Sequence, residues 1–549
     1  VKIVKLLVVA VVVANTSTAL ATEPWIDADP AERPTRYEIG AIGVRAQAEY
    51  RAQATFIDPI SLNSENQRRA NWIEQRGRIG GTIDYEEKIK LTLSMDLLEG
   101  VLFGDNGSFV TEPRSQSGMN LTARNPNLAK RCVGLLDGDR DPLDASSYGF
   151  ALCEADVLRL RHLFAQVSTP IGILRVGRQP VAMGMAVQTA SGDGRTNRFG
   201  VNHFGNSVDR VLFATKPLEA FKPKAERNLS EHEGFIVATM YDRWVSDSVA
   251  LYADDIHQSG VAFRYVDPQV SALVHGLELQ TFYVHRWDQK YESKTNTIGA
   301  RGAVEVGDFH FGFDLATNIG ATREVSEAYS VISNDPVVSQ DILQFGARAV
   351  ARYDRPMWSA YLEADYASGD GDPESGTPLT QFRFAEDANV GLLMFEHVLH
   401  FQSARAAGAA VEIIRRLGAE TFPAERINTQ GSFTNAFALF PQFDFRPHES
   451  ILFRGGVLVA WAPAPVIDQV GSLHTRDGND IADDLVNFVG GKPGTFYGTE
   501  LDARFQWRFM DHFALDLEAA ILFPGDAFED INGHAVRSVL GQGRTTFFF

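Results

Sequence analysis

The chain has 549 residues, a formal net charge of −19 and a pI near 5.2, with 44% hydrophobic and 22% charged residues. An acidic balance of this size excludes a nucleic-acid partner, whose phosphates require a basic excess. After Ala21 there is no run of roughly 18 apolar residues, so helical membrane spans are excluded too.

In chain order, Val1-Lys2-Ile3-Val4-Lys5 leads into an apolar run from Leu6 to Ala14 and then Ala19-Leu20-Ala21 before Thr22. A basic start, an apolar run too short to span a bilayer and a small-residue cleavage site predict a signal peptide over 1–21. Residues 22–36 then form an N-terminal periplasmic segment. From 37 to 549 the chain shows repeated segments of about ten residues in which every second side chain is apolar, the mark of a transmembrane β-barrel.

In Ile89-Lys90-Leu91-Thr92-Leu93-Ser94-Met95-Asp96-Leu97 one face is aliphatic and the other polar. Phe309, Phe311, Phe313 and Leu315 alternate with His310, Gly312, Asp314 and Ala316. A late segment sets Tyr497, Thr499, Leu501, Ala503, Phe505, Trp507 and Phe509 against Gly498, Glu500, Asp502, Arg504, Gln506 and Arg508. Helical period would mix these faces, whereas strand period separates them.

Strands are predicted over 37–53, 71–85, 88–99, 156–168, 171–179, 207–215, 235–242, 256–266, 273–287, 296–306, 309–319, 342–353, 357–367, 432–445, 450–461, 496–509, 512–522 and 535–549. The expected fold is therefore all-β, an antiparallel transmembrane barrel of about eighteen strands in the outer membrane of a Gram-negative-type cell. Tight connections such as Tyr85-Glu86-Glu87, Thr169-Pro170 and Gly307-Asp308 alternate with long ones, as periplasmic turns alternate with extracellular loops. The connection 216–234 falls on the tight side yet is long. An outward apolar band against lipid is expected to include Ile89, Leu91, Leu93, Phe311, Phe313, Leu501, Phe505, Leu515 and Leu517. Trp72, Trp358, Trp461 and Trp507 are expected near the two membrane interfaces.

Cys132 and Cys153 are the only cysteines, and in an exported chain they predict one disulfide stapling a long loop. The alternative is two buried free thiols. Between them Asp137, Asp139 and Asp141 stand at alternate positions, a spacing that can wrap oxygen ligands around Ca²⁺. Pro142 stands where a calcium loop needs glycine and the twelfth-position Glu is missing, so a solvated acidic turn is the plainer reading; no other cofactor is expected. One helix is predicted, Val398–Leu417, with Leu399, Ala406, Ala410, Ile413, Ile414 and Leu417 near one face. It belongs to the loop 368–430, and either folds into the mouth as a constriction or packs on the rim.

The polar faces place Glu74, Arg76, Arg78, Asp84, Lys90, Asp96, Arg159, Arg161, Arg175, His310, Asp314, Arg348, Arg352, Glu363, Asp365, Glu500, Asp502, Arg504, Arg508, Asp516 and Glu518 inside. Charges at this density are expected to line a water-filled pore, since unpaired buried charges cost several kcal/mol each. Arginines dominate the strands from 71 to 179 and carboxylates gather in 357–367, 496–509 and 512–522. Such walls either face each other across a transverse field or form a lattice of ion pairs that stiffens the barrel.

Three motifs carry a family resemblance. Gly177-Arg178-Gln179 ends an early strand, Ser368-Gly369-Asp370-Gly371-Asp372 follows Tyr366, and Gly498-Thr499-Glu500-Leu501-Asp502 opens a late strand leading to Phe523-Pro524-Gly525. Together they resemble the alginate-export-like outer-membrane porins. The resemblance implies a monomeric eighteen-stranded channel for polysaccharide or another polar solute. The chain end Thr545-Thr546-Phe547-Phe548-Phe549 similarly resembles the signal that such barrels present to their insertion machinery, through Phe549.

No G-x-S-x-G elbow, H-E-x-x-H pair or nucleotide-binding glycine loop occurs. The expected function is a channel for polar, anionic or oligosaccharide solutes rather than an enzyme. The alternative is a plugged structural or adhesion barrel whose long loops bind partners.

Overall fold

Period-two alternation decides which medium each side chain of a strand meets, and in this chain it holds around a complete circle. The computed structural model describes residues 36–104 and 156–549, apart from short internal stretches of which 191–196, 247–255, 407–428 and 476–483 are the longest. The strands are β1 (Tyr37–Ile39), β2 (Ile42–Asp58), β3 (Ala70–Tyr85), β4 (Ile89–Gly104), β5 (Asp156–Thr169), β6 (Gly172–Pro180), β7 (Ser207–Thr215), β8 (Gly234–Ser246), β9 (His257–Gln269) and β10 (Val274–Trp287). They continue as β11 (Lys294–Val306), β12 (Phe309–Thr322), β13 (Gln340–Asp354), β14 (Trp358–Ala367), β15 (Ala436–His448), β16 (Ile451–Trp461), β17 (Phe496–Phe509), β18 (Phe513–Pro524) and β19 (Ser538–Phe548).

From β2 onward each strand pairs antiparallel with the next, and β19 pairs back onto β2 through Phe547↔Tyr50 and Thr545↔Ala52. Closure makes the eighteen-stranded barrel that the alternation predicts and leaves no free sheet edge. Phe549 completes the seam: its N–H donates to the Ala48 carbonyl at 2.8 Å and its carbonyl accepts from the Ala48 N–H at 2.9 Å. Beyond it, β1 hydrogen-bonds the first residues of β2, with Tyr37 opposite Val44.

One end of the barrel carries the tight turns 86–88, 170–171, 270–273, 307–308, 355–357 and 449–450, together with Arg36 and Phe549. The anomalous connection after β7 lies at this turn end and is compacted into two 3-10 turns, Pro217–Phe221 and Lys224–Glu226. Longer connections occupy the opposite, loop end. There the helices Glu324–Ser333 and Gln469–Thr475 were not foreseen; each is too short to give a clear periodic signal.

The outer surface is apolar. Ile89, Leu91, Leu93, Phe311, Phe313, Leu501 and Leu517 are all exposed, and Phe505 and Leu515 are half-exposed. Cross-strand aromatic pairs such as Phe309–Tyr353 (4.6 Å) and Phe513–Phe547 (5.1 Å) reinforce it near the turn end. A belt of this extent is stable only against hydrocarbon. Among the described residues no helix is long and apolar enough to cross a membrane.

Two aromatic expectations are corrected. Trp358, Trp461 and Trp507 stand on the outer surface near strand ends, but Trp72 is 2% exposed and lies inside, its indole N–H donating to Glu74 at 2.9 Å. Tyr497 also points inward. The register shifts between Ala460 and Trp461, so that Ala460 faces Gly498 while Trp461 faces Phe496, and the extra residue turns Tyr497 over. The bulge requires glycine: Gly498 has φ +126°, and a Cβ there would stand 2.2 Å from the Phe523 carbonyl oxygen. Gly177, in the first of the three family-like motifs, has φ +122°, and a Cβ there would stand 2.4 Å from the Leu163 carbonyl oxygen.

Candidate functional site: the barrel interior

Charges on the inward faces pair across neighbouring strands. Arg78 reaches both oxygens of Asp96 (2.5 and 3.1 Å), with Arg161 at 3.5 Å from the same carboxylate. Arg51 and Arg76, directly opposite each other on β2 and β3, both bind Glu49 Oε1, at 2.8 and 2.9 Å. Arg210 grips Asp242 bidentately at 2.7 Å, Arg264 and Arg301 share Glu278, and Arg348 binds Asp365 (2.6 Å) and Glu363 (3.1 Å). On the remaining arc Arg504 binds Asp516 (2.7 Å), and Arg544 binds Glu518 (3.1 Å). Of the two arrangements open from sequence, these contacts are those of the ion-pair lattice. Removing one partner of such a buried pair costs about 3–5 kcal/mol.

The lattice does not surround an open tube. From the loop end the described parts of two loops fold inside, within 181–206 after β6 and within 368–435 after β14. Arg198 of the first loop donates to Asp444 (2.9 Å) and Gln442 (2.6 Å) and lies over the Tyr361 ring at 4.0 Å. Its own carbonyl accepts from Arg454 (2.5 Å) and Arg504 (2.8 Å). Gly200 N–H donates to Glu518 and Met185 N–H to Asp314. The second loop meets the first where Ala385 N–H points at the carbonyls of Ala186 and Val187. It then enters a π-helical turn, Met394–Leu399, whose start is held by the wall: Glu500 accepts the N–H groups of Leu392 (2.7 Å), Leu393 (2.8 Å) and Met394 (2.6 Å). A buried carboxylate at a helix N-terminus is favoured by both the free N–H groups and the dipole.

Between these loops and the wall lies a hydrophobic core that includes Ile57, Trp72, Phe199, Phe382, Phe395, Phe433, Phe440, Leu458 and Tyr497. The helix expected at 398–417 thus begins earlier, and its described part through Ala404 is buried inside the barrel, not on the rim. The expectation of a uniformly wet interior is corrected with it. Asp314, Arg348, Glu363, Asp365, Glu500, Asp502 and Glu518 face inward as read but lie buried beneath the loops. Arg76, Asp96, Arg161 and Asp516 are buried in the ion-pair lattice, while Lys90, Arg159, Arg175, Arg352, Arg504 and Arg508 are half-buried. Cys132, Cys153, Asp137, Asp139 and Asp141 lie outside the described residues, as do 1–35. Among the described residues no group of three or more His, Cys, Asp or Glu is placed to hold a metal ion.

Among the described residues two open spaces stand out. A basin of about 1220 Å³ occupies the turn end, lined by nine Lys or Arg side chains and two glutamates. Arg78 and Arg175 belong to it as read from sequence; Arg45, Arg210, Arg264, Arg301 and the turn residues Lys216 and Arg227 were missed. Burial lowers the Lys216 ammonium from its ordinary value. At the loop end a chamber of about 380 Å³ has a different lining, rich in amides and hydroxyls such as Gln258, Thr297, Asn318 and Gln344 beside Trp244. Burial raises the carboxyl of Asp370, in its wall, above the usual range.

No family model matches the chain, and no curated protein matches it. Among solved structures it is similar to Pseudomonas aeruginosa OccK2 (OpdF), with 9% identity and TM-score 0.45 over 92% of this chain and 97% of the other. The same protein in complex with glucuronate aligns at TM-score 0.44 and 9% identity, over 92% and 96% of the two chains. Acinetobacter baumannii OccAB2 aligns at TM-score 0.44 and 10% identity, over 92% and 98%. These values are too low for any property of those proteins to be transferred to this chain.

Proposed function

We propose that the barrel is an outer-membrane channel that passes polar, anionic solutes, with no catalytic step, and that its turn end faces the periplasm. The observation that carries this reading is the cation-lined basin of about 1220 Å³ inside a closed barrel whose outer surface is apolar. Arginine suits carboxylate or phosphate groups because its planar fork pairs with them bidentately. The amide- and hydroxyl-rich chamber at the loop end supports solutes that also carry hydroxyl groups, oligosaccharides among them. The resemblance to alginate-export-like porins supports the same solute class.

A second reading rests on the apolar core formed by the inward loops: a barrel plugged by its own loops, whose exposed loop end binds partners. Planar-bilayer recording separates the two. A channel gives stable ohmic steps, and replacing Arg159, Arg161 and Arg175 by Ala shifts the reversal potential toward cations. Folded protein that conducts nothing would favour the plugged barrel.

A further inference from the structure

Along β10 consecutive inward residues line different spaces: Gln280 the turn-end basin, Phe282 and Val284 the loop-end chamber. Alternate positions of a strand are roughly 7 Å apart. At this level the two spaces are therefore separated by little more than one side chain. The same change falls between Gln179 and Val181 at the end of β6.

Most side chains around this junction are held by polar bonds. Gln179 donates to the backbone carbonyls of Gly177 (3.3 Å) and Arg210 (3.5 Å). Asp242 accepts from Arg210 at 2.7 Å and from Gln258 at 2.9 Å, and Trp244 donates to Gln258 at 3.1 Å. On the basin side Arg301 donates to Gln280 at 3.0 Å. On the chamber side Thr297, Asn318 and Gln344, opposite one another on β11, β12 and β13, are joined at 2.8 and 3.2 Å.

Phe282 is held differently. Its side chain is buried, and among the described residues its ring makes no ring–ring or cation–π contact. Its register partners are Ala262 on β9 and Gly299 on β11, and Gly299 in turn faces Ala316 on β12. A Cβ on Gly299 would collide with the ring, so glycine is what lets the ring lie against the wall. Between such small partners a change of rotamer meets no bulky cross-strand neighbour. The ring can yield to a passing solute, whereas the side chains around it yield only by breaking a buried hydrogen bond.

We propose that Phe282 is the specificity-determining residue of the passage, an aromatic partition that sets the size limit for movement between chamber and basin. The inference rests on the channel reading and adds to it the residue that selects solutes by cross-section. An apolar constriction between two polar spaces also restricts water, as hydrophobic gates do.

Single-channel conductance in planar bilayers tests it, with wild type, Phe282→Leu and Phe282→Ala each first shown to be folded by heat-modifiable gel mobility. Removing the ring at least doubles the conductance of the alanine variant, with leucine between, and raises the size of the largest polyethylene glycol that enters and lowers the current. Phe282→Cys behaves like alanine until benzyl methanethiosulfonate restores a ring and with it the smaller current; methyl methanethiosulfonate does not restore it. Each treated sample is compared with wild type given the same reagent. A conducting wild type whose current and polymer limit are unchanged in Phe282→Ala overturns the partition and leaves the channel reading standing. Silence from folded wild type and folded variants alike refutes both. Current from Phe282→Ala alone supports the partition. Should the alanine variant fail to fold, Phe282→Leu decides by the same comparison.

Discussion

Glu500→Ala should release the second inward loop without unfolding the barrel. One buried carboxylate accepts three backbone N–H groups, from Leu392, Leu393 and Met394, at 2.6–2.8 Å. Hydrogen bonds to a charged acceptor contribute about 1.5–3 kcal/mol each, and a buried donor left alone costs about 1–3 kcal/mol. Because the three share one acceptor their effects do not add fully, and a net loss of about 3–5 kcal/mol for the anchored state is expected. A loss of about 3 kcal/mol already changes the ratio of anchored to released loop more than a hundredfold. Glu500→Gln, which keeps one carbonyl acceptor, should fall between wild type and alanine. The backbone ladders of β16, β17 and β18 do not involve the carboxylate, so heat-modifiable gel mobility should persist. Proteinase K should cut within 386–404 in the alanine variant and not in wild type, and single-channel current should become larger or noisier. If 386–404 stays protected and current is unchanged while the barrel is folded, Glu500 does not hold the loop.

At the β17 bulge, Gly498→Ala puts a Cβ 2.2 Å from the Phe523 carbonyl oxygen at φ +126°, a strain of about 1–3 kcal/mol. The temperature at which the folded gel band is lost should drop relative to Ala503→Gly on the outer face. At the loop end, Asp530 joins the loops 59–69 and 525–537. Burial works to raise its carboxyl pKa, but Ser64, His534 and Asn532 outweigh burial and hold it below the ordinary range. A depressed carboxyl stabilises above its unfolded pKa and loses that contribution as pH falls through the folded value. Amide exchange at residues 62–66, corrected for intrinsic rates, should therefore accelerate below about pH 4 and stay flat from 5 to 8; acceleration in the upper range instead would contradict the assignment.

The barrel was legible because each strand of an antiparallel sheet between lipid and a polar interior repeats one physical choice at every residue. What lies inside follows no such rule. The described parts of the loops after β6 and β14 pack by shape against the wall, so Arg198, Phe199 and Phe395 carry no periodic signal that marks them as core. A single bulge was enough to turn Tyr497 from the lipid to the core, and no local pattern announces one residue too many. Trp72 misled for a related reason: its strand end suggests an interface, but it lies under His397, at 5.8 Å between ring centroids, on a loop more than three hundred residues away in sequence. The basin cations Arg210, Arg264 and Arg301 sit on β7, β9 and β11. Their meaning emerges only when those strands close around one space with Lys216 and Arg227.

How a charge is paired decides what a solute feels. An arginine–carboxylate ion pair is a short dipole whose field decays much faster than that of a single charge, and many interior arginines are held in such pairs. Arg504 is matched by Asp516, Arg454 by Asp444 and Arg348 by Asp365. Arg175 donates from both Nε (3.1 Å) and Nη2 (2.7 Å) to the neutral Gln166 amide, and it faces the basin. Arg227 likewise donates to neutral groups, the Lys222 and Ala220 carbonyls. Selectivity for anions should therefore reside at the turn end, not in the ion-pair lattice. In a conducting channel Arg175→Ala should move the reversal potential clearly toward cations. The paired replacement Arg504→Ala/Asp516→Ala, which removes equal and opposite charges, should leave it nearly unchanged. A larger shift from the pair than from Arg175 would place the selective field in the lattice.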